Sequence, residues 1–89
     1  MYIKLFFDYY ERTVYIQDGY VKDVKELQNN FLEWMKEQPD CIVDKKGQSG
    51  YSYNETDFLR YLNTVLINGG EKAYFFDNIQ KKKYKTIHF

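Results

Sequence analysis

The chain has little of most residues that carry chemistry or special backbone geometry. It holds one cysteine (Cys41), one histidine (His88), one proline (Pro39), one alanine (Ala73) and two arginines (Arg12 and Arg60) in 89 residues. A lone cysteine forms no internal disulfide and builds no thiolate metal site, so the chain needs no oxidising compartment. Cys41 and His88 together supply two soft ligands where zinc uses three or four. No apolar run approaches the roughly 20 residues that span a bilayer. The apolar stretch after Met1 is too short for a secretory signal. These absences predict a cytoplasmic protein without membrane contact.

Catalytic patterns are equally thin. Gly47-Gln48-Ser49-Gly50 lacks the glycine two positions after serine that a nucleophile elbow needs, because Tyr51 stands there. The same stretch is no phosphate-binding loop, since no Lys-Ser/Thr pair follows its glycines. Asp40 with Asp44 and Glu55 with Asp57 do not match the spaced oxygen ligands of a calcium loop, and the second pair suits a helix N-terminus. We therefore expect no enzyme, no metal and no cofactor.

What the chain has in abundance is aromatic surface: ten Tyr, seven Phe and one Trp make 20% of it. That excludes a disordered tail, which lacks the apolar area to offset ordering entropy. The length predicts one domain over residues 1–89. Eleven lysines against two arginines, a single alanine and frequent Asn, Ile, Tyr and Phe reflect AT-rich codons. This usage suggests a low-GC bacterium, or one of its phages or mobile elements.

Hydrophobic periodicity predicts the elements. Residues 2–9 and 13–17 alternate with the period of half-buried strands, placing Ile3, Leu5, Phe7 and Tyr9 on one face with Val14 and Ile16. Pairing Tyr9 with Val14 and Phe7 with Ile16 gives a hairpin through a turn at Tyr10–Thr13. A helix follows, with Val21, Val24, Leu27, Phe31, Trp34 and Met35 on a stripe about 140° wide. Asp23 and Glu26 form its capping box, and Pro39 ends it near Glu37 or Gln38. Residues 41–43 read as a short strand and 44–52 as a loop. A second helix starts near Asn54 or Thr56, buries Phe58, Leu59, Leu62, Val65 and Leu66, and stops at Asn68-Gly69-Gly70. Residues 72–77 and 84–89 read as a second hairpin. The fold class is α+β in the order β-β-α-(β)-α-β-β: an antiparallel sheet of four or five strands with two helices on one face.

Two surfaces stand out. With helices on one sheet face, Tyr2, Phe6, Tyr10 and Tyr15 fall on the other, and Tyr51 and Tyr53 lie in the following loop. Such rings bury much area with few rotatable bonds, which predicts a protein-binding surface, a second copy of the chain being the simplest partner. The thirteen basic and thirteen acidic groups are also unevenly spread. Lys81, Lys82, Lys83 and Lys85 give residues 80–89 a charge of +4, leaving −4 on residues 1–79. With Tyr84 among them, these lysines make nucleic-acid binding the alternative. The competing explanation is that they protect a sheet edge from aggregation.

Overall fold

The computed structural model describes residues 1–77 and 83–89. Its elements are β1 (Tyr2–Phe6), β2 (Glu11–Tyr15), α1 (Val24–Met35), a 3-10 turn (Pro39–Cys41), β3 (Ile42–Lys45), β4 (Gln48–Tyr51), α2 (Glu55–Tyr61), β5 (Tyr74–Phe75) and β6 (Tyr84–His88). The fold is α+β in the expected order. One sheet runs β5-β2-β1-β6, and β3 pairs with β4 in a sheet of their own. Ile3, Leu5, Val14, Ile16 and Ile87 from one sheet face meet Leu27, Phe31, Phe58 and Leu62 from the helices in a single buried cluster.

The alternation of β1 and β2 survives, but the register does not follow the sequence reading. Ile3 lies opposite Val14 and Leu5 opposite Arg12, in place of the expected Tyr9–Val14 and Phe7–Ile16 pairs. β1 stops at Phe6, and the loop closes where the Phe7 N–H donates to the Tyr10 carbonyl at 2.9 Å. Tyr9 sits at the loop tip, 97% exposed. A period of two fixes which side chains point inward but leaves the loop length free, so the faces agree while the partners shift.

The tail is not a hairpin. β5 pairs antiparallel with β2, while β6 lies at the opposite edge, parallel to β1 from Tyr2↔Tyr84 to Phe6↔His88. The predicted turn between them falls mainly outside the described residues. β6 gains five cross-strand pairs on β1, against the two residues that β5 offers.

The expected loop at 44–52 is instead the β3–β4 hairpin. Lys46 and Gly47 both take positive φ (52° and 77°), as a two-residue type I′ turn requires, with Lys45 opposite Gln48. A lysine in the first turn position hides this signature. Both strands are largely exposed, so burial leaves no alternation to read.

Asp23 caps α1 by accepting from the Lys25 N–H at 2.9 Å. The reciprocal capping box forms at α2, between Asn54 and Asp57. After α2 the backbone widens into a π turn over Leu62–Leu66, where the Ile67 N–H reaches the Leu62 carbonyl at 2.8 Å. The wider turn swings Val65 out to solvent and Ile67 into the core, the reverse of an uninterrupted α-helical stripe.

The π turn also aims the Asn63 amide at Ala73, donating to its carbonyl (3.1 Å) and accepting from its N–H (2.8 Å). This two-point clasp fixes the approach to β5. Asn63→Ala orphans both backbone groups of a buried residue and is expected to cost about 2 kcal/mol in urea unfolding. Asn63→Asp keeps an acceptor for the N–H but turns an oxygen on the carbonyl, so it should lose at least as much.

Candidate functional site

The cross-strand register builds one row of four tyrosines on the sheet face away from the helices. Tyr74, Tyr15, Tyr2 and Tyr84 come one from each strand, in the order β5-β2-β1-β6. Ring centroids lie 5.3 Å apart for Tyr74–Tyr15 and 5.1 Å for Tyr15–Tyr2, in tilted contacts that favour aromatic pairs. The Phe76 ring lies 5.3 Å from Tyr2, and the Lys4 ammonium sits 4.3 Å over the Tyr84 ring. Four residues along, Phe6 stacks on His88 at 4.6 Å, and between them Lys4 pairs with Glu11 at 3.7 Å.

This face is built rather than bare. Thr13 at its centre is 2% exposed and the Lys4 side chain 14%. Tyr2, Tyr15 and Phe6 are half-buried, and the largest open rings are Tyr74 (50% exposed) and Tyr84 (41%) at the two edges. Of the expected surface residues, the structure thus brings together Tyr2, Phe6 and Tyr15. It adds Tyr74, Phe76 and His88, which sequence reasoning missed, and Tyr84, which the sequence placed only with the basic tail, because the strand order that aligns them is a tertiary property.

Tyr10, Tyr51 and Tyr53 lie elsewhere. Tyr10 belongs to the β1–β2 loop, stacks on Phe7 at 5.0 Å and donates its hydroxyl to Glu55 at 2.6 Å. That correction follows from β2 starting only at Glu11: Tyr10 never joins the strand alternation. Tyr53 packs its ring against Phe31 and Phe89, 5.6 Å from each, and so is part of the aromatic core's wall. Tyr51 is exposed at the end of β4.

The lysines divide as well. Lys83, Tyr84 and Lys85 are exposed and line, with Met1 and Tyr2, a groove of about 360 Å³. Lys85 pairs with Ile3 in the ladder and therefore starts from the opposite sheet face to Tyr84. Lys81 and Lys82 lie outside the described residues.

Among the described residues, Asp40, Cys41 and Asp57 bring potential ligand atoms within 4.8 Å of one another. A cation is already there: the Arg60 guanidinium pairs with Asp40 at 3.1 Å and Asp57 at 3.4 Å and covers the Trp34 ring at 5.1 Å. Burial, then the charges of Asp57 and Asp40, push the Cys41 thiol up from its ordinary 9.0, which disfavours the nucleophilic thiolate. This is an ion-paired clasp between the 39–41 turn and α2. His88 is not in this group: it stacks on Phe6, whereas Cys41 is in the core.

Three phenols shift in the same direction as the thiol. Tyr10 is raised from 10.0 by its bond to Glu55 and then by burial, Tyr53 by burial and then by Asp8, and Tyr61 by burial. All four groups hold their protons more tightly in the folded chain. Their contribution to stability is complete below about pH 9 and is lost as pH rises through the raised values. The urea midpoint should therefore fall steadily above about pH 9; a midpoint that rises there overturns the assignment.

No protein-family model matches this chain, and neither the curated proteins nor the solved structures hold a significant match to it.

Proposed function

We propose that the protein is a non-enzymatic protein-binding module whose contact surface is the tyrosine row of the outer sheet face. The single observation that supports it is the placement of Tyr74, Tyr15, Tyr2 and Tyr84 one per strand across the whole sheet. Tyr15 packs on the Tyr74 ring and the Lys4 ammonium lies over the Tyr84 ring, so both edge rings meet a partner with less further ordering than free side chains. Codon-biased composition and the lack of a bilayer-length apolar run support a cytoplasmic accessory or inhibitor-type role in a phage or mobile element of a low-GC bacterium. Among the described residues no helix is long and apolar enough to cross a membrane.

The test compares the wild-type chain with Tyr74→Ser/Tyr84→Ser. Light scattering at high concentration detects self-association, and capture from host extract with mass spectrometry detects a foreign partner. The double variant should lose whichever association the wild type shows, while Tyr9→Ser, at the loop tip, should keep it. Equal association by the wild type and the double variant overturns the reading.

A second reading, nucleic-acid binding, draws on the groove at Lys83, Tyr84 and Lys85, where neither lysine has an ion pair among the described residues. It requires binding to single-stranded DNA or RNA at about 50 mM salt that weakens steeply as salt rises. Absence of binding under those conditions eliminates it.

A further inference from the structure

A second cleft, of about 270 Å³, is lined by Phe7, Asp8, Tyr51, Ser52, Tyr53 and Phe89. Three distant stretches of chain converge on it: the β1–β2 loop, the exit of the β3–β4 hairpin and the residue after β6. Its inner wall is made of packed rings. Phe7 and Phe89 stack at 5.2 Å with their planes 17° apart, and Tyr53 meets Phe89 at 75°. Both Tyr53 and Phe89 are anchored on the buried Phe31, at 5.6 and 5.7 Å.

Two lining groups lack partners among the described residues. Asp8 has no hydrogen bond or ion pair and is the only charged side chain in the lining. Its carboxylate lies close enough to raise the Tyr53 phenol. Tyr51, 52% exposed, has no ring contact. An unpaired carboxylate beside an open aromatic ring attracts a cation, and the two together favour one that is flat. A guanidinium offers paired N–H donors to a carboxylate and a planar face to a ring. An ammonium satisfies only the charge.

We propose that this cleft binds the guanidinium of an arginine side chain presented by a partner polypeptide. The proposal rests on the reading of the chain as a protein-binding module but shares no residue with the tyrosine row, so the two fail separately.

The probe is a short Gly/Ser peptide carrying one arginine, titrated into the full chain and followed by NMR. Matched peptides carry lysine, trimethyllysine or citrulline in its place. The arginine peptide should shift the Asp8, Tyr51 and Tyr53 resonances. Asp8→Asn should weaken it about tenfold and Tyr51→Ser several-fold. Both positions are exposed, so neither change should disturb the fold. Tyr74→Ser/Tyr84→Ser should leave peptide binding unchanged even if it abolishes partner capture. Absence of shifts at millimolar peptide overturns the proposal. So does equal binding of the citrulline peptide, preference for trimethyllysine, or indifference to Asp8→Asn.

Discussion

Phe31→Ala is expected to remove much of the protein's stability. The Phe31 ring is fully buried and meets five others: Phe58 at 5.1 Å, Tyr53 at 5.6 Å, Phe89 at 5.7 Å, Tyr61 at 5.8 Å and Trp34 at 6.2 Å. Those partners come from α1, α2, the segment before α2 and the residue after β6, so one ring holds four parts of the chain together. Truncating a buried Phe costs about 3–5 kcal/mol, the cavity included. A chain of this length has a total stability of about 4–13 kcal/mol. At about 4–8 °C per kcal/mol, thermal unfolding should move down by roughly 12–40 °C. Near-UV circular dichroism, which reports aromatic packing directly, is the measurement. Phe31→Leu fills most of the volume and should cost about 1.5 kcal/mol. A drop below about 5 °C for the alanine variant contradicts the placement of the core on this ring.

Phe31 is also where the sequence is most readable. It lies on an apolar stripe of helical period, behind an acidic cap and before a proline, and each of these signals acts over a few residues. Period-two alternation likewise identifies Ile3, Leu5, Val14 and Ile16 as inward-facing, and all four are fully buried. Local physics stops at the strand's face. It contains nothing that sends β6 to the free edge of β1, because the parallel ladder depends on residues more than eighty positions apart. The candidate site inherits this limit. Tyr2, Phe6 and Tyr15 share a face by alternation alone, but Tyr74 and Tyr84 join them only once the strand order exists. Tyr53 and Tyr51 stand two apart in sequence, yet one packs on Phe31 and the other faces solvent. Their difference is made by the hairpin that delivers them, whose type I′ turn is disguised by Lys46.

Phe89 shows the same limit most sharply, and Phe89→Ala is expected to have the second largest effect. Its N–H completes the ladder by donating to the Phe6 carbonyl at 2.9 Å, a bond that alanine retains. The ring is therefore what the substitution tests. It stacks on Phe7 and meets Phe31, Tyr53 and Phe58 edge-on, at 5.2–5.8 Å. Being half-buried, it should cost less than Phe31, about 2–3 kcal/mol in urea unfolding at unchanged m value. Because the two rings touch, the double variant Phe31→Ala/Phe89→Ala should lose less than the sum of the singles, by about 0.5–1.5 kcal/mol. Strict additivity contradicts a shared cluster. The variant also removes the wall on which Tyr53 rests, so arginine-peptide binding should weaken in Phe89→Ala even at temperatures where the chain remains folded. Phe89→Leu, which restores bulk without a ring, separates the two roles: it should recover most of the stability but less of the binding.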